Sequence, residues 1–115
     1  MHILDLLREN VLADNDLLVK SDARGDVFTK ARDVDFAFKT TDKEKAESLS
    51  EFINGKNYGR SRVEHHEEDD LFWVFVVVHM PITPNVICSL SGFMVCLGRL
   101  FQVEYDGWGS VIQSA

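Results

Sequence analysis

The chain has 115 residues, 45% of them hydrophobic, which supports one compact domain around a single core and leaves no room for a second. Its 12 basic and 19 acidic residues give a formal net charge of -7, so the overall field repels phosphate backbones and disfavours direct, nonspecific nucleic-acid binding. The same surplus suits the surface to basic segments of a protein partner.

The N-terminus, Met1 to Arg8, carries Asp5 within its apolar run and lacks the basic start and small-residue cleavage site of a signal peptide. With no uninterrupted apolar stretch of membrane-spanning length, a soluble, cytoplasmic protein with no membrane partner is expected. Ile3, Leu4, Leu7 and Val11 recur at helical spacing, which predicts a short amphipathic helix over residues 2–12, broken by Asp14-Asn15-Asp16. Residues 1–24 then read as this helix and a linker, and residues 25–115 as the main domain.

The first strand is expected from Asp33 to Lys39, where Val34, Phe36 and Phe38 alternate with Asp33, Asp35 and Ala37. Thr41 and Glu44 form a capping-box pattern that starts a helix at Asp42, with Ala46, Leu49, Phe52 and Ile53 as its buried stripe and Asn54-Gly55 as its stop. Gly59 to Glu67 reads as a polar edge strand, joined through Glu67-Glu68-Asp69-Asp70 to a second strand from Leu71 to Met80. That strand is apolar on both parities and should be central. Thr83-Pro84 opens a helix that carries Ile87, Leu90, Met94, Leu97 and Phe101, and Val103 to Ile112 forms the last strand. The order predicts an α+β, ferredoxin-like split βαβ sandwich: a four-stranded antiparallel sheet with two helices on one face, plus the short N-terminal helix. The second sheet face is left to the N-terminal helix, a second copy of the chain or a target protein.

Several clusters suggest chemistry and fail on spacing. His65 and His66 are adjacent on a strand and point to opposite faces, so they do not share an ion, and no metal centre or cofactor is expected. Cys88 and Cys96 lie on one predicted helix with Cα atoms about 12 Å apart, too far for a bridge, and read as reduced, partly buried thiols. Asp35 and His79 are the one candidate acid/base pair, but no nucleophile completes a site, so no catalytic residue is assigned. Trp73 and Phe75 could offer stacking surfaces to single-stranded RNA; the acidic balance and the lack of Arg or Lys on their strand count against it.

The final strand contains Glu104-Tyr105-Asp106-Gly107-Trp108-Gly109, whose two glycines weaken a strand unless the backbone needs them. In regular geometry Tyr105 and Trp108 fall on opposite faces; a bulge at Gly107 brings them to one face. One reading packs both rings into the core. The other makes Tyr105 and Trp108 aromatic anchors of a protein interface, with Glu104 and Asp106 selecting a basic partner and Gly107 and Gly109 shaping the backbone.

Following a helix that ends near Phe101-Gln102, this hexapeptide resembles the late segment of the ribonuclease E inhibitor B family, also called regulator of ribonuclease activity B. Val34-Asp35-Phe36-Ala37-Phe38 before Thr41, and Met80-Pro81 with Thr83-Pro84, resemble the same domain's earlier elements, so the likeness covers about residues 25–112. It implies a ferredoxin-like domain that binds the endoribonuclease E, or a related basic protein, and restrains RNA cleavage in a bacterium without being a nuclease. The better-known members carry a long acidic extension after the motif, an attraction for an arginine-rich scaffold that a domain ending at Ala115 would not supply. A homodimer joined through the face of Leu71 to Met80, with an unrelated protein target, is the alternative.

Overall fold

The computed structural model describes residues 2–115. Seven elements follow in order: α1 (Ile3–Ala23), β1 (Arg32–Thr40), α2 (Lys43–Gly55), β2 (Arg60–His66), β3 (Leu71–Met80), α3 (Pro84–Phe101) and β4 (Glu104–Ser110). The strands form one antiparallel sheet in the order β2-β3-β1-β4, the expected ferredoxin-like plan.

The strict alternation in β1 decides which face is buried. Val34, Phe36 and Phe38 lie opposite Val78, Val76 and Val74 of β3, and all of these but Val78 are fully buried under the helices. Asp33, Asp35, Ala37 and Lys39 fall on the other face by the same two-residue period. Ile53 and Leu49 of α2 and Ile87, Met94 and Leu97 of α3 close the core.

Both core helices begin and end for local reasons. In α2 the cap is Asp42 rather than Thr41: its Oδ1 accepts from the amides of Glu44 and Lys45 at 3.0 and 3.3 Å. The left-handed residue after α2 is Asn57, at φ 58°, not Asn54 or Gly55. Asn54 instead uses its amide to hold Ser61 at the start of β2, donating to the Ser61 carbonyl and accepting from its amide. In α3 Pro84 occupies the first turn, where its missing amide hydrogen costs nothing. Gly98 is needed near the far end, because a Cβ there would lie 2.6 Å from the Val103 carbonyl oxygen. α3 is 18 residues long with a mean hydropathy of 1.4, enough by length and composition to cross a membrane. Its buried side, from Ile87 through Ser91 to Gly98, packs on the sheet, the ordinary reason for a core helix to be apolar.

The expected break at Asp14-Asn15-Asp16 does not occur. α1 is continuous for 21 residues, because Asp14 is a buried inner-face residue while Asn15 and Asp16 face water. Asp16 also pairs with Lys20 one turn later at 2.8 Å, which supports the helix through the polar stretch. α1 packs against α3 and places Leu18 in the main core, so it is neither short nor a peripheral addition. α2 and α3 cover one side of the sheet, as expected, and α1 packs on α3 and leaves the second face uncovered.

The connection from α1 to β1 holds a buried ion pair. Arg32 Nη1 lies 2.7 Å from Asp26 Oδ1, with both side chains almost wholly buried, and the remaining guanidinium hydrogens reach the carbonyls of Val27, Lys30 and Val111. Asp26 Oδ1 also accepts from the Gln113 amide at 3.3 Å, which ties the C-terminal stretch to the start of β1.

Candidate protein-binding site

β4 is an edge strand, and its hexapeptide divides between the two faces of the sheet. Phe38 lies opposite Tyr105 and Ala37 opposite Gly107, so Asp106 is an extra residue and the strand bulges there. Gly107 takes φ +111°, a conformation open to glycine, and the bulge turns Tyr105 and Trp108 to the same, helix-covered side. Glu104, Asp106, Gly107 and Gly109 lie toward the open face, where Glu104 and Asp106 flank Lys39 at 3.7 and 3.1 Å.

On the helix side the two rings serve the fold. Trp108 is 8% exposed, and its Nε1 donates to Asp14 Oδ1 at 2.8 Å. Ser91 donates from Oγ to the same carboxylate oxygen at 3.0 Å and shares a 3.0 Å contact with the Tyr105 hydroxyl. Asn10 Nδ2 donates to Ser91 Oγ at 2.9 Å and to Asp14 Oδ2 at 3.3 Å. Thus α1, α3 and β4 meet on one buried carboxylate whose oxygens are occupied by donors. Burial pushes the Asp14 carboxyl above its ordinary range, against the opposing hydrogen bonds from Trp108 and Ser91. Burial likewise raises the Tyr105 hydroxyl and the Cys88 thiol, the latter also through the nearby Asp14 charge. Trp108, expected as an interface anchor, is thus turned inward in this fold.

The open face has a different composition. Trp73 and Phe75 of β3 lie nearly parallel, 8° apart with centroids at 6.0 Å, and His66 of β2 borders both. Cations come from neighbouring strands: Lys39 Nζ stands 5.7 Å from the Trp73 ring and the Arg62 guanidinium 4.9 Å from Phe75. The sequence of β3 alone does not show these cations, because cross-strand neighbours are invisible within one strand. Among the described residues, the Trp73 indole N–H is the one buried side-chain donor or acceptor atom without a partner.

The other candidate sites come apart or stay small. His79 lies opposite Asp33, and its Nδ1 is 3.0 Å from Asp33 Oδ1; Asp35 lies opposite Val77 and does not meet it. His65 pairs with Asp70 at 2.9 Å and His66 with Glu64 at 3.5 Å, and no three metal-ligating groups converge among the described residues. Cys88 and Cys96 are free, partly buried thiols.

Two grooves border the bulge. One, of about 710 Å³, runs on the helix side between Leu6 and Ala13 of α1, Val95 of α3, and Tyr105. The second, of about 490 Å³, crosses the β4 edge from Ala13 and Leu17 to Asp35, Ala37 and Phe75 over Gly107 and Gly109. The molecule is an α+β domain with one sheet face covered by helices and the other bearing half-buried rings and charges. The chain belongs to the family described as Regulator of ribonuclease activity B, whose model matches residues 13–110, from the middle of α1 through the end of β4. No curated protein matches the chain.

Proposed function

We propose that this chain is a non-catalytic regulator that binds the endoribonuclease E and restrains its cleavage of RNA, acting in the bacterial cytoplasm. The family match carries the reading: it includes the Asp14 half of α1, the whole sheet and the hexapeptide, and the family is one of ribonuclease regulators. Occupying a surface of the nuclease suffices for such an effect, with no bond made or broken by the regulator. The charge agrees, since a chain at -7 is attracted to basic protein segments and repelled by the RNA itself.

The test is direct. Purified chain should capture purified ribonuclease E at micromolar concentration, lower its rate of RNA cleavage, and lose affinity as salt is raised. No capture at that concentration would remove ribonuclease E as the target, and RNA cleavage by the chain alone would remove the non-catalytic reading.

A further inference from the structure

Asp35 is an expense that the fold does not explain. Aspartate is a poor strand residue, yet it sits in the middle of β1, exposed, between Val77 of β3 and Gly109 of β4. The other carboxylates of this face are engaged: Asp33 with Arg60 and His79, Glu64 with Arg62, and Glu104 and Asp106 with Lys39. Asp35 has no ion-pair partner among the described residues. Gly109 is unexplained in the same way. Its φ lies outside the region that favours glycine, and a Cβ built on it meets nothing within 4 Å, so neither strain nor crowding excludes a side chain there. A strand glycine without an internal reason marks a place where something else approaches the backbone.

We infer that the open face, from Phe75 across Ala37 to the β4 edge, docks a basic segment of a protein partner, with Asp35 receiving one of its arginine or lysine side chains. The inference rests on the reading that the chain binds a protein and names the surface and its chemistry. The groove there is floored by Ala37, Gly107 and Gly109, walled by Phe75 and bordered by the carboxylates of Asp35, Asp106 and Asp16. A planar guanidinium can lie flat over the glycine backbone and meet Asp35 with two hydrogen bonds, which favours arginine over lysine. The chain displays the same chemistry internally, where Arg62 rests on Phe75. Charge decides between occupants. A second copy would bring the same surplus of carboxylates, since the cations Lys39, Arg60 and Arg62 already have partners. Single-stranded RNA would set phosphates beside the carboxylates of this groove.

Amide shifts of the isotope-labelled full chain, titrated with a nine-arginine peptide, test the placement without depending on ribonuclease E. Shifts should centre on Asp35, Ala37, Gly107 and Gly109. Asp35→Asn should weaken the peptide about tenfold, the loss of one charge-assisted contact, while Glu51→Gln on α2 should leave it unchanged. Gly109→Leu, whose Cβ would meet no atom within 4 Å, should weaken it equally with an unchanged melting temperature. Shifts centred on the acidic turn at residues 67–70, wild-type affinity in both groove variants, the same shifts from a uridine 12-mer, or a dimer that buries these amides would each overturn the proposal. With ribonuclease E, normal binding by Asp35→Asn would overturn the docking face and leave the regulator standing. Failure of the wild-type chain to bind the enzyme would remove that target, while the peptide map still decides the face.

Discussion

The helix side and the open side of β4 are built from the same six residues and are held to opposite standards. On the helix side polar atoms are paired almost without exception: the Trp108 indole, the Ser91 hydroxyl and the Asn10 amide all donate to the Asp14 carboxylate or to each other in a dry setting. On the open side, Asp35 is unpaired, Gly109 is empty, and the Lys39 pairs are partly solvated. Buried polar groups without partners are costly, so the first arrangement is dictated by folding. Exposed groups face no such demand, and their arrangement is free to record what the surface meets. The contrast separates the hexapeptide's aromatic residues from its acidic ones, which composition alone joins into one motif.

Five substitutions or conditions can break or sharpen this division. Trp108→Ala should be the most damaging, removing a buried ring and one of the donors to the Asp14 carboxylate, for a loss of about 3–5 kcal/mol in urea denaturation. Asp14→Ala should cost about 2–3 kcal/mol, since it strands the Trp108 and Ser91 donors between α1, α3 and β4. The same residue should give stability a pH slope. Its folded pKa lies above its unfolded value, so the folded state holds the proton more tightly; that stabilisation is full below the ordinary carboxylate range and is lost as pH rises through the folded value. Asp14→Asn should flatten this slope in pH-dependent denaturation. Tyr105→Phe should cost about 1 kcal/mol, the net worth of its contact with Ser91. Glu104→Gln with Asp106→Asn should be smallest, leaving the melting temperature nearly unchanged because their pairs with Lys39 are exposed. A large loss from this last pair would erase the distinction between the two sides.

Much of this was legible in the sequence, and the failures have physical causes. The alternation of Val34, Phe36 and Phe38 and the doubly apolar β3 determine the central strands, since a one-residue slip would turn phenylalanines to water. Aspartate and asparagine usually end helices, which predicts a short α1, whereas Asp14 stands seven residues after Leu7 and four before Leu18, on one face. A lone polar residue within an apolar stripe is the signal that was available, and its partners Ser91 and Trp108, far along the chain, were not. Asp26 and Arg32 were missed for the same reason: a buried ion pair looks like two surface charges until the chain folds. The pairing of His79 with Asp33 instead of Asp35 depends on strand register, which neither strand specifies alone.

One paired measurement tests the division most directly: thermal denaturation and ribonuclease E titration of Tyr105→Phe beside Gly109→Leu. Tyr105→Phe should lower the melting temperature and leave the affinity of the folded protein intact, because its hydroxyl works inside the α1-α3-β4 junction. Gly109→Leu should keep the melting temperature and weaken binding about tenfold, because it changes the open face alone. The reverse pattern, a destabilised Gly109→Leu that binds normally and a stable Tyr105→Phe that does not bind, would contradict the account.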